Sequence, residues 1–150
     1  MLTDGGFWWG PDGQEWKRFS FTDIMGLALA HKAGIRIALI SGEDSPLVDR
    51  LADKMGISDV FKNCKDKAQA LRLFAERHQL NLTEVGFMGD DVNDLSALEI
   101  AGLAVAPANA RPVVLQKCQF VTKAGGGNGA VRELMEYLLN AIPATAAGYH

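Results

Sequence analysis

Past Phe21 the hydrophobic positions follow two alternating patterns: apolar residues three and four apart, and short unbroken apolar runs. The first is the period of an amphipathic helix and the second that of a buried strand. Thr22 can cap a helix over 23–32 that Gly34 ends, and 35–41 reads as a strand. Ser45 and Pro46 open a helix in which Leu47, Val48, Leu51 and Met55 share a face, with Gly56 as its stop. Val60 and Phe61 form a short strand, and Asp66 caps a helix over 67–78 whose inner face is Ala70, Leu71, Phe74 and Ala75. Strands over 85–88 and 103–106 flank a helix over 95–100. A short helix over 111–117, an edge strand at Phe120 and Val121, and a helix over 130–139 with Val131, Leu134, Met135 and Leu138 inward complete the pattern. Strands alternating with helices of this length predict an α/β fold, a parallel sheet with helices on both faces.

Residues 7–21 break that rhythm. Phe7, Trp8 and Trp9 precede a Gly10-Pro11-Asp12-Gly13 turn, and Trp16, Lys17, Arg18 and Phe19 follow it. Two aromatic-rich segments around a Pro-Asp-Gly turn predict a β-hairpin. A lone hairpin is marginal in water, so it folds onto its own domain or buries its aromatic rings against another subunit.

The 150 residues favour one domain, residues 1–141, ahead of a weakly patterned tail over 142–150 expected to be flexible. A formal charge of −3 with no basic run argues against nucleic acid or an anionic membrane as partner, but leaves room for a small-anion site. Cys64 and Cys118 make neither a disulfide framework nor a thiolate metal site. No apolar run nears the ~20 residues that span a bilayer, and the start lacks a leader pattern, so the expected location is cytoplasmic.

In an open parallel sheet, ligands sit beyond the carboxyl ends of the strands. Gly89-Asp90-Asp91-Val92-Asn93-Asp94 follows one such end. Clustered carboxylates repel unless a cation or donors compensate, and Mg²⁺ does so through oxygen ligands. Asp90, nearest the strand end, is the best metal ligand, with Asp91, Asn93 and Asp94 supporting it; the bland alternative is a polar loop with two competing helix caps. Ser41-Gly42 follows another strand end and suits a phosphoryl oxygen, or is an ordinary turn. Lys65-Asp66-Lys67 opens a helix, where the dipole disfavours lysine. Lys67 either neutralises a phosphoryl group or is simply solvated. Gly125-Gly126-Gly127-Asn128-Gly129 is an anion nest, a mobile flap or a flexible connection, and Arg132 and Lys123 beside it can meet a substrate carboxylate. The histidines are scattered and no Gly-x-Ser-x-Gly elbow is present.

Taken together these pieces resemble the haloacid-dehalogenase superfamily of aspartate-nucleophile phosphatases. Within it the chain resembles the small capless sugar-acid phosphatases, which act on 3-deoxy-manno-octulosonate 8-phosphate or nonulosonate 9-phosphate. The matching residues are Leu2-Thr3-Asp4-Gly5 with the hairpin, Lys17-Arg18-Phe19, Ser41-Gly42, Lys65-Asp66-Lys67, the 89–94 run, and Gly125-Gly126 with 129–133. The resemblance implies a Rossmann-type sheet, phosphate held by Ser41, Gly42 and Lys67, Mg²⁺ at Asp90, and Asp94 supporting the metal or the lysine. It also implies a homotetramer assembled through the hairpin, with the glycine-rich segment near the pocket.

The same resemblance places the nucleophile and general acid, two aspartates of an Asp-x-Asp-Gly run, directly ahead of Leu2-Thr3-Asp4-Gly5. Asp4 falls where the family has an additional downstream aspartate, and Asp12 lies in the hairpin turn, so neither is assigned as nucleophile. The first, central strand would lie between 35–41 and 85–88. The expectation is that Met1 is a misassigned start within a longer enzyme and that the chain as written has negligible phosphatase activity. The alternative is a non-catalytic assembly or regulatory domain of the same fold; a receiver-like domain is disfavoured because its acidic pair would follow the first strand.

Overall fold

The computed structural model describes residues 1–142; the tail expected over 142–150 lies otherwise outside the described residues. The hairpin forms as expected: β1 (Trp8–Trp9) pairs antiparallel with β2 (Glu15–Trp16). The α/β part runs α1 (Phe21–Lys32), β3 (Ala38–Ile40), α2 (Pro46–Met55), β4 (Asp59–Phe61), α3 (Lys67–Arg77), β5 (Gly86–Met88), α4 (Leu95–Ile100), β6 (Leu103–Ala106), α5 (Pro112–Leu115), β7 (Phe120–Val121) and α6 (Ala130–Ala141). Local signals explain several boundaries. Ser45 accepts from Leu47 N–H at the start of α2, and Gly56 ends it with φ +65°. Asp66 accepts from Gln69 N–H at 3.0 Å at the start of α3.

Two expectations are corrected. Thr22 is not a cap: α1 begins at Phe21, after Ser20, whose side chain makes no capping bond. The strand over 35–41 shrinks to Ala38–Ile40, because its partner β4 is only three residues long.

All strand pairs in the α/β part are parallel, but they form two separate ladders. β3 pairs with β4, and β5-β6-β7 form the other, with β7 at the edge as its sequence suggested. Side chains alternate faces along a strand. Thus Val105 packs with Leu27, Val131 and Leu134 of α1 and α6, while Ala104 and Ala106 pack with Leu71, Phe74 and Leu98 on the opposite face. α1 and α6 touch closely: a Cβ on Gly26 would lie 2.9 Å from the Arg132 Cα. α2 covers β3 through Leu51 and Ala52 against Leu39.

Between the facing edges of β3 and β5 lies a cavity of about 810 Å³. Its lining is largely apolar, including Leu39, Phe87, Leu27, Leu134 and Phe74, and Met1 to Thr3 sit along it. Neither facing edge has a strand partner among the described residues. None of the described helices is long and apolar enough to cross a membrane.

Candidate functional site

Just past the end of β5, Gly89 gives the chain room to fold a 3-10 turn (Val92–Asp94) back over its own start. A Cβ at Gly89 would lie 2.5 Å from the Asp94 Cβ, so glycine is required there. The turn buries Asp94 to 1% exposure. Its Oδ2 accepts from the N–H groups of Asp90 (2.9 Å) and Asp91 (3.2 Å). Its Oδ1 accepts from Lys67 Nζ at 2.5 Å. Lys67 is the first residue of α3 and is itself buried. A buried cation at the positive end of a helix is stabilised only by such a partner. Lys67 and Asp94, separated by 27 residues, are thus brought together, one of the two roles for Asp94 that the resemblance implied.

Asp90 is held differently. Its backbone is fixed by Asp94 on one side and by Arg111 N–H, which donates to the Asp90 carbonyl at 2.9 Å, on the other. Its carboxylate stays 39% exposed, and Oδ2 faces the Met1 ammonium at 3.3 Å. A partly exposed carboxylate at a strand end suits a hard divalent cation that keeps several waters. The rest of the run contributes less directly. Asp91 Oδ1 caps Val92 N–H at 2.7 Å, Asp94 is committed to Lys67, and Asn93 is exposed. Among the described residues no three His, Cys, Asp or Glu side chains converge as a metal-holding group. Asp90 is the carboxylate of this run left open to a cation, and Asp94 is engaged by Lys67 and two backbone N–H groups.

Ser41 ends the neighbouring ladder. Its N–H donates to Phe61 O at 2.8 Å, and its carbonyl accepts from Cys64 N–H at 2.9 Å. Its Oγ accepts from Glu43 N–H at 3.1 Å, which leaves the hydroxyl proton free to donate. A Cβ on Gly42 would stand 3.9 Å from both Asn93 Nδ2 and Cys64 O, so the loops after β3, β4 and β5 meet there. Ser41, Gly42, Lys67 and the 89–94 run share one edge of the fold. Lys65 is exposed.

The glycine-rich segment is neither a free nest nor a loose connection. A Cβ on Gly127 (φ +71°) would lie 2.5 Å from Asp4 N, and one on Gly126 would lie 2.9 Å from Thr3 O. Gly127 N–H donates to Met1 O at 2.8 Å, and Gly126 N–H to Asn109 Oδ1 at 2.9 Å. The glycines let this segment lie backbone to backbone on residues 1–4. Arg18 of the hairpin donates to Gly127 O (3.1 Å) and Asn128 Oδ1 (2.8 Å). Arg132 makes its contacts elsewhere: Nε donates to Glu136 Oε1 at 2.6 Å, and its N–H to Asp23 Oδ1 at 3.0 Å. Asp23, fully buried, also accepts from Gly129 N–H at 3.2 Å, so α1 caps the start of α6. Nothing local in the sequence signals that role, nor those of Asn109 and Glu43.

Comparison with known proteins identifies the family. Residues 24–134 match the family of haloacid dehalogenase-like hydrolases. The 3-deoxy-D-manno-octulosonate 8-phosphate phosphatase of Escherichia coli (strain K12) is 33% identical over 139 residues, covering 93% of this chain and 74% of that protein. The crystal structure of the Moraxella catarrhalis enzyme of that name, in complex with magnesium ion, phosphate ion and KDO, superposes with a TM-score of 0.91 at 35% identity, over 94% of this chain and 81% of that one. The cobalt-bound deoxy-D-mannose-octulosonate 8-phosphate phosphatase of Haemophilus influenzae gives 0.89 at 31% identity, over 93% and 82%.

Proposed function

The chain belongs to the haloacid dehalogenase-like hydrolases, in their sugar-acid phosphatase group, and from that premise we propose that it is the body of an Mg²⁺-dependent phosphatase for a 2-keto-3-deoxy sugar acid phosphate. The substrate class is an octulosonate 8-phosphate or a nonulosonate 9-phosphate. The observation that carries this reading is the buried Lys67–Asp94 pair beside the open carboxylate of Asp90 at the strand ends, with Ser41 on the facing loop. In it Ser41 Oγ–H and the Gly42 backbone receive phosphoryl oxygens, and Lys67 offsets the charge that develops on them. Asp94 fixes Lys67 and aims Asp90, with Asp91 and Asn93 completing the turn. Mg²⁺ held by Asp90 would neutralise phosphoryl oxygens.

The nucleophile is a carboxylate carried on a strand in the slot between β3 and β5. Attack of its oxygen on phosphorus forms an aspartyl phosphate while the sugar oxygen leaves with a proton from a second carboxylic acid; water then attacks phosphorus and releases phosphate. The support for this is the apolar slot itself, with Met1 at the end where Asp90 lies. The 150 residues alone are therefore inactive in this reading. Assembly as a homotetramer through the hairpin is part of it, supported by Trp8 and Trp9 at 60% and 72% exposure.

The test is the intact mass and activity of the protein from its native source. A mass above 16.2 kDa by about 1–2 kDa, a strand and its turn, with an Asp-x-Asp-Gly peptide and Mg²⁺-dependent turnover lost in Asp90→Asn, is the expected result. A mass matching Met1, with no turnover, would move the reading to a non-catalytic assembly domain. Light scattering on the same sample reads the oligomer.

A further inference from the structure

We propose that Lys17, at the foot of the hairpin, is a positioning residue for the phosphate-contacting Ser41, acting through Glu43. The proposal rests on the reading of Ser41 given above. Lys17 directly follows β2, and its side chain is only 15% exposed. Its Nζ pairs with Glu43 Oε2, lies 3.4 Å from Glu15 Oε1, and stands 6.0 Å from the centre of the Phe7 ring. Burial works against the ammonium, but Glu43 and Glu15 outweigh it and hold its pKa above the usual lysine value, so the group is a permanent cation at neutral pH.

Glu43 is gripped at three points: its carboxylate by Lys17, its carbonyl by Asn63 N–H at 3.2 Å, and its N–H by Ser41 Oγ at 3.1 Å. The last contact fills an acceptor position on Oγ and so directs the remaining hydroxyl proton outward. Glu43 is otherwise 62% exposed, and without Lys17 its side chain has no partner among the described residues. The neighbouring Arg18 reaches the other way, to Gly127 and Asn128, as alternating residues of an extended segment do. One hairpin limb therefore straddles the loop after β3 and the glycine segment, and its Lys17 branch ends, through Glu43, on the Ser41 hydroxyl.

The test has two readouts on the full chain. Amide hydrogen exchange at Glu43 reads the Ser41–Glu43 contact directly. Calorimetric titration with inorganic phosphate and Mg²⁺ reads its consequence. Lys17→Met is expected to speed Glu43 exchange and weaken phosphate binding by about 3–10-fold, the loss from one misplaced hydrogen bond. Lys17→Arg restores both. Ser41→Ala weakens phosphate similarly, and adding Lys17→Met to it changes nothing further, because both act on one hydroxyl. Glu43→Gln, with the surface charge altered but the hairpin intact, reproduces Lys17→Met even where that variant folds poorly. Unchanged exchange and phosphate affinity in Lys17→Met and Glu43→Gln, with Ser41→Ala impaired, overturns the role of Lys17 and leaves that of Ser41 standing. So does full additivity with Ser41→Ala. Phosphate binding that is absent, or insensitive to Ser41→Ala, overturns the reading of Ser41 and the proposal with it.

Discussion

Helix α3 carries a cation–carboxylate contact at each end, and the two are built on opposite terms. At its start Lys67 is buried against Asp94, where the helix dipole opposes a cation. At its finish Arg77 and His78 meet Asp59, the buried first residue of β4, where the dipole favours a cation. Burial alone would raise the Asp59 carboxyl, but hydrogen bonds and charge from His78 and Arg77 outweigh it and hold it below the usual carboxylate range. The finish is a clamp that local electrostatics would assemble anyway. The start is a cation placed against its helix and kept there by a turn folded for the purpose. A group held at an energetic disadvantage marks where chemistry is done, and a group held with the field marks where the fold is fastened.

Glycine substitutions at the two ends of the strands break this comparison most severely. Gly102 precedes β6 at the fastening end, and a Cβ there would fall inside the backbone of Thr83, which cannot give way. Gly102→Ala is expected to cost about 4–5 kcal/mol or more, among the largest single effects. Gly89 meets only the Asp94 side chain, so Gly89→Ala should displace the 92–94 turn and the Lys67 pair at smaller global cost, about 1–3 kcal/mol. Urea unfolding of both separates them; equal losses would mean that the two ends are equally rigid.

Next is Asp94→Ala. It strands a buried lysine and frees two backbone donors, so about 3–5 kcal/mol is expected, together with loss of phosphate binding. Lys67→Met should cost clearly less, because Asp94 keeps its bonds to Asp90 and Asp91, yet lose phosphate binding as completely. A Lys67→Met protein that still binds phosphate would make the start of α3 a second clamp.

This contrast also marks what the chain reveals before it folds. α2, α4, β6 and β7 are legible because their caps and periodicity lie within a few residues, as in Ser45-Pro46 and Gly56. The proposed site residues Lys67, Asp90, Asp94 and Ser41 stand out in sequence because each sits in a short polar run at a strand end or helix start. The fastening contacts are not. Asp23 meets Gly129 and Arg132 across 106 and 109 residues, and Asp59 meets Arg77 and His78 across 18 and 19. Each looks like any polar residue until tertiary packing chooses its partner. Gly126 and Gly127 of the 125–129 run misled for the same reason: the backbone of residues 1–4 lies against them.

A smaller effect separates the clamp by pH. A carboxyl whose folded pKa is depressed stabilises the fold above its unfolded value, about 3.9, and that stability is lost as pH falls through the folded value. Asp59→Asn should cost about 1–2 kcal/mol at pH 7, and the gap to the wild type should close in strongly acidic solution. Unfolding curves at pH 7 and well below pH 4 measure it; a gap independent of pH would assign the cost to packing rather than charge.

The smallest expected effect on stability falls on the residue expected to matter most for metal binding. Asp90 keeps a partly exposed carboxylate whose one charged partner among the described residues is the Met1 ammonium at 3.3 Å. Such exposed pairs contribute about 0–1 kcal/mol. The backbone of Asp90 is fixed independently, by Asp94 and Arg111. Asp90→Asn should therefore leave the unfolding midpoint almost unchanged while weakening Mg²⁺ binding by at least about 10-fold, since an amide carries no charge to offset a hard cation. Calorimetry with Mg²⁺ alone, run beside thermal unfolding, reads both numbers on one sample. A large loss of stability would make Asp90 a fastening residue like Asp59. Unchanged Mg²⁺ affinity would remove it from the metal site. The expected split, affinity without stability, is what distinguishes a side chain kept open for a ligand from one spent on holding the fold.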